Sequence, residues 1–223
     1  MTFMADIPDG HFDLAIVDPP YGINAPAMQM GHAPNRKGDG GYPAVSTTVK
    51  LKSFTGSGKL KDRILKRSNT EWDLNPPTEE YFSELKRVSK DQIIWGANYF
   101  PLPPSRGMIC WDKLQPWDNF SQFELAWSSF NSPAAMFRYS NTGGANAEQK
   151  IHPTQKPIAL YKWLLRKYAS KEFKIIDTHL GSGSSAIAAY DFGCEFVGCE
   201  INEEYFKAAS ERLRIHQLQP KLF

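Results

Sequence analysis

The sequence predicts an α/β fold, an open sheet whose strands end in acidic residues and are covered by helices. Three observations carry that prediction. Phe12-Asp13-Leu14-Ala15-Ile16-Val17 is an apolar, β-branched run that reads as a buried strand and stops at Asp18. Phe173-Lys174-Ile175-Ile176-Asp177 reads as a second strand, followed by the turn Thr178-His179-Leu180-Gly181-Ser182-Gly183-Ser184-Ser185 and a helix opening with Ala186-Ile187-Ala188-Ala189. Glu195-Phe196-Val197-Gly198-Cys199 is a third strand and ends at Glu200, 23 positions after Asp177. Open sheets bind ligands beyond the carboxyl ends of their strands, so the three terminal acids mark where function is expected.

The chain of 223 residues suits one domain over residues 1–223 with a substantial core. A net charge of +2 decides little about partners. The cysteines, Cys110, Cys194 and Cys199, are odd in number, far apart and without ligand-spaced companions, which points to reduced packing residues. No charged-then-apolar leader opens the sequence and no apolar run reaches about 18 residues, so the expectation is a cytoplasmic protein without a membrane span.

Met1 to Gly10 leave room for little before the first strand. After it comes Asp18-Pro19-Pro20-Tyr21. Two prolines fix the backbone and remove two N–H donors, leaving an acid, carbonyl oxygens and an aromatic ring on a rigid corner. Such a corner suits a flat group that carries hydrogens, as an exocyclic amine on a nucleobase does. Asp18 would accept one hydrogen and the Pro19 carbonyl the other, with Tyr21 stacked on the ring. Taken alone, these four residues fit a plain Pro-Pro turn equally well.

Residues 22–71 read as a flexible basic insertion, punctuated by Gly38-Asp39-Gly40-Gly41 and Gly56-Ser57-Gly58. It carries nine basic residues (Arg36, Lys37, Lys50, Lys52, Lys59, Lys61, Arg63, Lys66 and Arg67) against three acidic ones, and the rest of the chain is net acidic. Beside a base-binding corner, that charge favours contact with a polyanion such as DNA. Thr78, as N-cap, starts a helix that buries Tyr81, Phe82, Leu85 and Val88. Three strands follow, over residues 92–95, 107–111 and 123–127, with tryptophans read as core. Residues 131–151 read as a polar loop in which Arg138, Tyr139, Asn141 and Gln149 can reach base edges. In His152-Pro153-Thr154-Gln155-Lys156-Pro157, Pro157 opens a helix with Leu160, Trp163, Leu164 and Tyr168 on its apolar face. Its start, with Thr154 and Lys156 alongside, suits an anion such as a carboxylate. His152 lacks companions at ligand spacing, so no metal site is assigned.

The turn after Asp177 fits G-x-G-x-x-A at Gly181, Gly183 and Ala186, and with Glu200 it forms the unit that binds an adenosine-bearing cofactor. Asn202 then caps a last helix.

Together, D-P-P-Y at 18–21, H-P-T-Q-K-P at 152–157, D-T-H-L-G-S-G-S at 177–184 and C-E-I-N-E-E-Y-F at 199–206 resemble the amino-specific DNA methyltransferases, in the motif order of their β group. The resemblance runs from Asp13 to Leu213. It implies a Rossmann-like mixed seven-stranded sheet, circularly permuted and three-layered (αβα), with S-adenosyl-methionine as cofactor and DNA, double-stranded by preference, as partner. It implies that Asp18, Pro19, Pro20 and Tyr21 form the catalytic corner around a flipped-out base. Asp177, Leu180, Gly181, Gly183, Ser184, Ser185, Glu200 and Ile201 would then line the cofactor, with Thr154 and Lys156 near its methionine end. The DNA-binding set is Arg36, Lys37, Lys50, Lys52, Lys59, Lys61, Arg63 and Arg138, with residues 131–151 as a short target-recognition loop. An aspartate at the first motif position is similar to the adenine-N6 enzymes, and cytosine-N4 stays open, as do an RNA base, a homodimer and a restriction partner. The chain has no Pro-Cys dipeptide, which excludes the carbon-5 mechanism.

Thr178 and His179 stand where the family has Pro and Phe. That departure favours a silent DNA-binding relative, which intact Asp18, Tyr21 and Glu200 oppose. A nicotinamide-dependent oxidoreductase on the same fold would leave D-P-P-Y without a use.

Overall fold

The computed structural model describes residues 2–23, 73–115, 121–140, 148 and 150–219. Seven strands form one sheet: β1 (Phe12–Val17), β2 (Ser89–Trp95), β3 (Ile109–Asp112), β4 (Phe123–Ser128), β5 (Ala135–Arg138), β6 (Lys174–Asp177) and β7 (Glu195–Gly198). Their order across the sheet is β5-β3-β4-β2-β1-β6-β7. β1 lies parallel to β2 and β6, β6 to β7, and β3 to β5, whereas β4 runs antiparallel to both of its neighbours. The sheet is therefore mixed, with a single reversed strand.

Helices cover both faces. A short helix α1 (Thr2–Ala5) and α2 (Glu79–Val88) lie on one side, and α3 (Ile158–Tyr168) and α4 (Ser184–Phe192) on the other. Strand alternation decides which residues meet which layer. Leu14 and Ile16 pack with Leu160, Leu164 and Ala188, while Ala15 and Val17 pack with Phe82, Leu85 and Val88. Both faces of the central strands are apolar because both are covered. α5 (Glu203–Leu218) closes the chain, with Asn202 Oδ1 accepting from the Tyr205 N–H at 3.1 Å as its cap.

The structure departs from the sequence reading in three places. β5 lies inside the segment read as a polar loop. Its four residues alternate half-buried and exposed along a sheet edge, and a run that short carries too little periodicity to read. Thr78 occupies the N-cap of α2 without a side-chain capping bond. Pro157 takes the N-cap position of α3 and not its first turn, and Leu165 joins the buried face. Trp95, Trp111 and Trp127 are core residues, as expected. The basic insertion, with Arg36, Lys37, Lys50, Lys52, Lys59, Lys61 and Arg63, lies outside the described residues.

Candidate active site

β1 and β6 are neighbours in the sheet, and the chain leaves them in opposite directions, β1 toward β2 and β6 toward β7. This is the topological switch point, where a crevice opens beyond the strand ends. Asp18 follows β1 and Asp177 ends β6, so the two acids flank the same opening.

On the β1 side lies a cavity of about 530 Å³, lined by Asp18, Pro19, Pro20, Tyr21, Asp73, Gly96, Tyr99, Lys113, Glu124, Thr154 and Lys156 among others. The whole D-P-P-Y corner faces it. The Tyr21 hydroxyl donates to Asp18 Oδ1 and the Lys156 ammonium donates to Asp18 Oδ2, each at 2.6 Å. Each carboxylate oxygen keeps a further lone pair for a third donor. The Tyr21 backbone N–H donates to the buried Asp73 carboxylate at 2.6 Å, which fixes the turn after Pro20. The Tyr21 ring lies against Gly96, where a Cβ would come within 2.7 Å of Tyr21 Cδ1 and 3.0 Å of Phe100. Its open face is stacked by Tyr99, with centroids 4.8 Å apart and planes at 16°. That spacing admits no third ring between the two.

Lys156 does not reach an anion seat at the α3 start. Its side chain is 3% exposed and is shared between Asp18 and Glu124, whose Oε2 lies 2.8 Å away. The N-terminus of α3 is taken instead by Glu148, whose Oε1 accepts from the Ile158 N–H at 2.8 Å while Oε2 binds Arg212. Thr154 faces the cavity and contacts His152 Nδ1 at 3.1 Å. Burial pushes the His152 imidazole down to about 4, with the Lys156 charge adding to the effect, so this ring is neutral near pH 7.

On the β6 side, Asp177 is 1% exposed. Burial pushes its carboxyl up to about 7, against the Ser185 hydroxyl that donates at 2.6 Å and the His179 N–H at 3.0 Å. Glu200 follows β7, and its two oxygens accept from the Gly181 N–H at 2.8 Å and the Asn202 N–H at 2.9 Å. Ile201 beside it is 99% exposed, an apolar face next to an oriented carboxylate. An oriented acceptor and an open apolar face fit a ribose with its purine. Gly183 has φ +72, and a Cβ there would meet Ala209 of α5 at 3.1 Å, so this glycine is required by helix packing. The Ser184 hydroxyl is used internally, by Ser182 and Arg212. Leu180 packs under Gly198.

The Thr178-His179 pair is integrated into the fold by Tyr81 of α2. The Tyr81 hydroxyl lies 2.6 Å from Thr178 Oγ1, and His179 Nδ1 lies 3.0 Å from the same Oγ1. A hydrogen-bonded trio thus holds the turn that an apolar pair would otherwise pack.

The sequence reading missed Asp73, Tyr99, Lys113 and Glu124. The available signal was Glu124, the one charged residue in the strand Phe123–Ser128. Arg138, at the end of β5, is 69% exposed and pairs with Asp112 at 3.5 Å, away from the cavity lining.

The fold defines the class: a Rossmann-like α/β protein whose acid-bearing strand ends meet at a switch point. Residues 94–211 match the DNA methylase family of N6 and N4 amino methylases, and the chain belongs to that family. It is 32% identical over 82 residues to the type II methyltransferase M.HpaI of Haemophilus parainfluenzae, covering 37% of this chain and 26% of that protein. It is 24% identical over 170 residues to M2.MboI of Moraxella bovis, covering 76% of this chain and 57% of that one. These matches span from about a quarter to somewhat over half of the relatives' own length. Among solved structures, the M1.HpyAVI complex with S-adenosyl-methionine has a TM-score of 0.55 at 16% identity, over 95% of this chain and 92% of that one. The cytosine-N4-specific PvuII DNA methyltransferase has a TM-score of 0.54 at 13% identity, over 99% and 84%. Likeness at these identities concerns the fold. No helix among the described residues is long and apolar enough to cross a membrane.

Proposed function

We propose that this protein is an S-adenosyl-methionine-dependent DNA methyltransferase that methylates the exocyclic N6 amine of adenine. The observation that carries the reading is the cavity at the end of β1, where Asp18, the Pro-Pro corner and Tyr21 converge beside the acid-tipped β6 and β7. When bound, the cofactor supplies a methyl group on a sulfonium. Glu200 holds the ribose hydroxyls and Ile201 covers the purine, with Asp177 and Gly181 shaping the turn beneath.

The protein's own task is to receive the amine. Asp18 accepts one N–H through the lone pair that Tyr21 and Lys156 leave free, and the Pro19 carbonyl accepts the other. With both hydrogens engaged, the nitrogen moves toward sp3 geometry and its lone pair becomes available for in-line attack. The base takes the position on Tyr21 that Tyr99 fills in the free protein, beside the Asp18 carboxylate to which the Tyr21 hydroxyl donates. Reaching that place requires the base to leave the duplex. The basic insertion and Arg138 supply phosphate contacts, and an aspartate at the first motif position favours adenine.

The test is methyl transfer to unmethylated DNA followed by mass spectrometry of the digested nucleosides, with Asp18→Ala in parallel. N6-methyladenine from the wild type is expected, with turnover abolished and cofactor binding retained in the variant. N4-methylcytosine would correct the base, and near-normal turnover by Asp18→Ala would refute the mechanism.

A further inference from the structure

Four charged side chains alternate in sign along the cavity: Lys113, Glu124, Lys156 and Asp18. Lys113 pairs with Glu124 Oε1, and Lys156 lies between Glu124 Oε2 at 2.8 Å and Asp18 Oδ2 at 2.6 Å. The Lys156 contact to Glu124 is an ion pair by distance and not an aligned hydrogen bond. The two lysine side chains are 9% and 3% exposed, so water does little to hold either charge. One carboxylate would neutralise Lys156, yet it has two. A second half-buried carboxylate adds a desolvation cost, and Glu124 needs Lys113 to balance it.

The reaction proposed above gives the second carboxylate a use. Transfer forms a carbon–nitrogen bond as the methyl's bond to sulfur breaks, and that bond's electron pair leaves on sulfur. The nitrogen gains a positive charge and then sheds one hydrogen as a proton, for which Asp18 is the adjacent base. Once protonated, Asp18 no longer compensates Lys156. A buried ammonium without a counter-charge tends to lose its proton.

We propose that Glu124 and Lys113 are positioning residues for methyl transfer: Glu124 keeps Lys156 protonated and pinned on Asp18 while Asp18 takes up the amine's proton, and Lys113 keeps Glu124 ionised and in place. The inference rests on the methyltransferase reading of this cavity. Burial pushes the Glu124 carboxyl up, but the Lys156 and Lys113 ammoniums outweigh burial and hold it at about 2, so it stays charged throughout. Burial raises the Asp18 carboxyl, as suits a proton acceptor, and Glu124 raises it further against the pull of Lys156. Among the described residues the other titratable neighbours are Tyr21, Asp73 and Tyr99 at the corner, His152 and Tyr161 by α3, and Asp177 of β6. None of them carries a positive charge near pH 7, so among the described residues no other cation stands in for Lys113 or Lys156.

Glu124→Gln removes a negative charge from between the groups, so Asp18 and Lys156 should both release protons more readily. Both limbs of the pH profile of kcat/KM then move to lower pH, and kcat falls roughly ten- to a hundredfold. Lys113→Met should move both limbs the opposite way, and Glu124→Asp should restore part of kcat. An independent readout in the protein without cofactor or DNA is the 13C NMR titration of the Lys156 side chain, whose midpoint should drop in Glu124→Gln. A lower rate with unmoved limbs and an unmoved Lys156 titration overturns the inference and leaves Glu124 a merely structural role. A wild-type protein that methylates no DNA refutes the reading beneath it, an outcome distinct from an active wild type with unmoved limbs.

Discussion

Asp177→Asn should change how stability depends on pH more than stability at any one pH. The carboxyl of Asp177 is raised from 3.8 to about 7 by burial, which outweighs the two hydrogen bonds it accepts. A carboxyl raised in the folded state binds a proton there that the unfolded chain releases. Its contribution is therefore fully present below about pH 4 and is lost as pH rises through about 7. A difference of about 3 units at 1.36 kcal/mol each amounts to about 4 kcal/mol across that window. Asparagine is close to the shape of the protonated acid and does not titrate. The difference in unfolding free energy, variant minus wild type, should thus rise by about 4 kcal/mol between pH 4 and 7. The half-buried histidines, His152 and His179, are pushed down to about 4 by desolvation and act with the opposite sign. They are common to both proteins and cancel in the difference. Urea unfolding in half-unit steps from about pH 4 to pH 8 makes the comparison. Parallel profiles would mean that Asp177 ionises in the fold as it does in water, and the burial argument would be wrong.

Gly96→Ala forces a methyl group into the Tyr21 ring at φ +81. A loss of about 2–4 kcal/mol in urea unfolding is expected, with methyl transfer falling further than stability alone explains. Tyr99→Ala removes the ring stacked on Tyr21, a contact of about 0.5–1.5 kcal/mol. If the base replaces Tyr99, affinity for an oligonucleotide with 2-aminopurine at the target should rise by up to about tenfold in fluorescence titration, and weaker binding would refute the replacement. Glu200→Ala removes the acceptor held by Gly181 and Asn202. Calorimetry should show cofactor affinity down roughly ten- to a hundredfold, and an unchanged Kd would remove Glu200 from the site.

The halves of the site that were legible in the sequence are those built from contiguous residues. Asp18 to Tyr21 follow β1 directly, and Asp177 to Gly183 end β6 and form the turn after it, so a local pattern of apolar run, acid and then proline or glycine carries the information. Lys156 was read beside an anion seat, and the structure pairs it with Asp18 and Glu124. Its motif precedes a helix, which suggested an anion, whereas Glu148 occupies that helix start and the lysine turns back to Asp18. Arg212 illustrates the same limit: it ties α5 to Glu148 and to the Ser182 carbonyl, contacts that join residues 64 and 30 positions apart. No spacing rule within one element reaches that far.

Glu124 was hidden for a reason that lies in sheet topology. In a parallel sheet the ligand-bearing edge collects the last residues of every strand, and an acid at the start of a strand sits at the opposite edge. Glu124 is the second residue of β4, which by that rule is the wrong end. β4 is the one strand that runs antiparallel to its neighbours, so its beginning lies level with the ends of the others. The register pairs Phe123 with Asp112, the last residue of β3, and Lys113 follows directly. The reversal thus sets Glu124 and Lys113 on the same edge as Asp18. A single change of strand direction assembles the alternating charges, and it is legible only once β2, β3 and β4 are known to be neighbours.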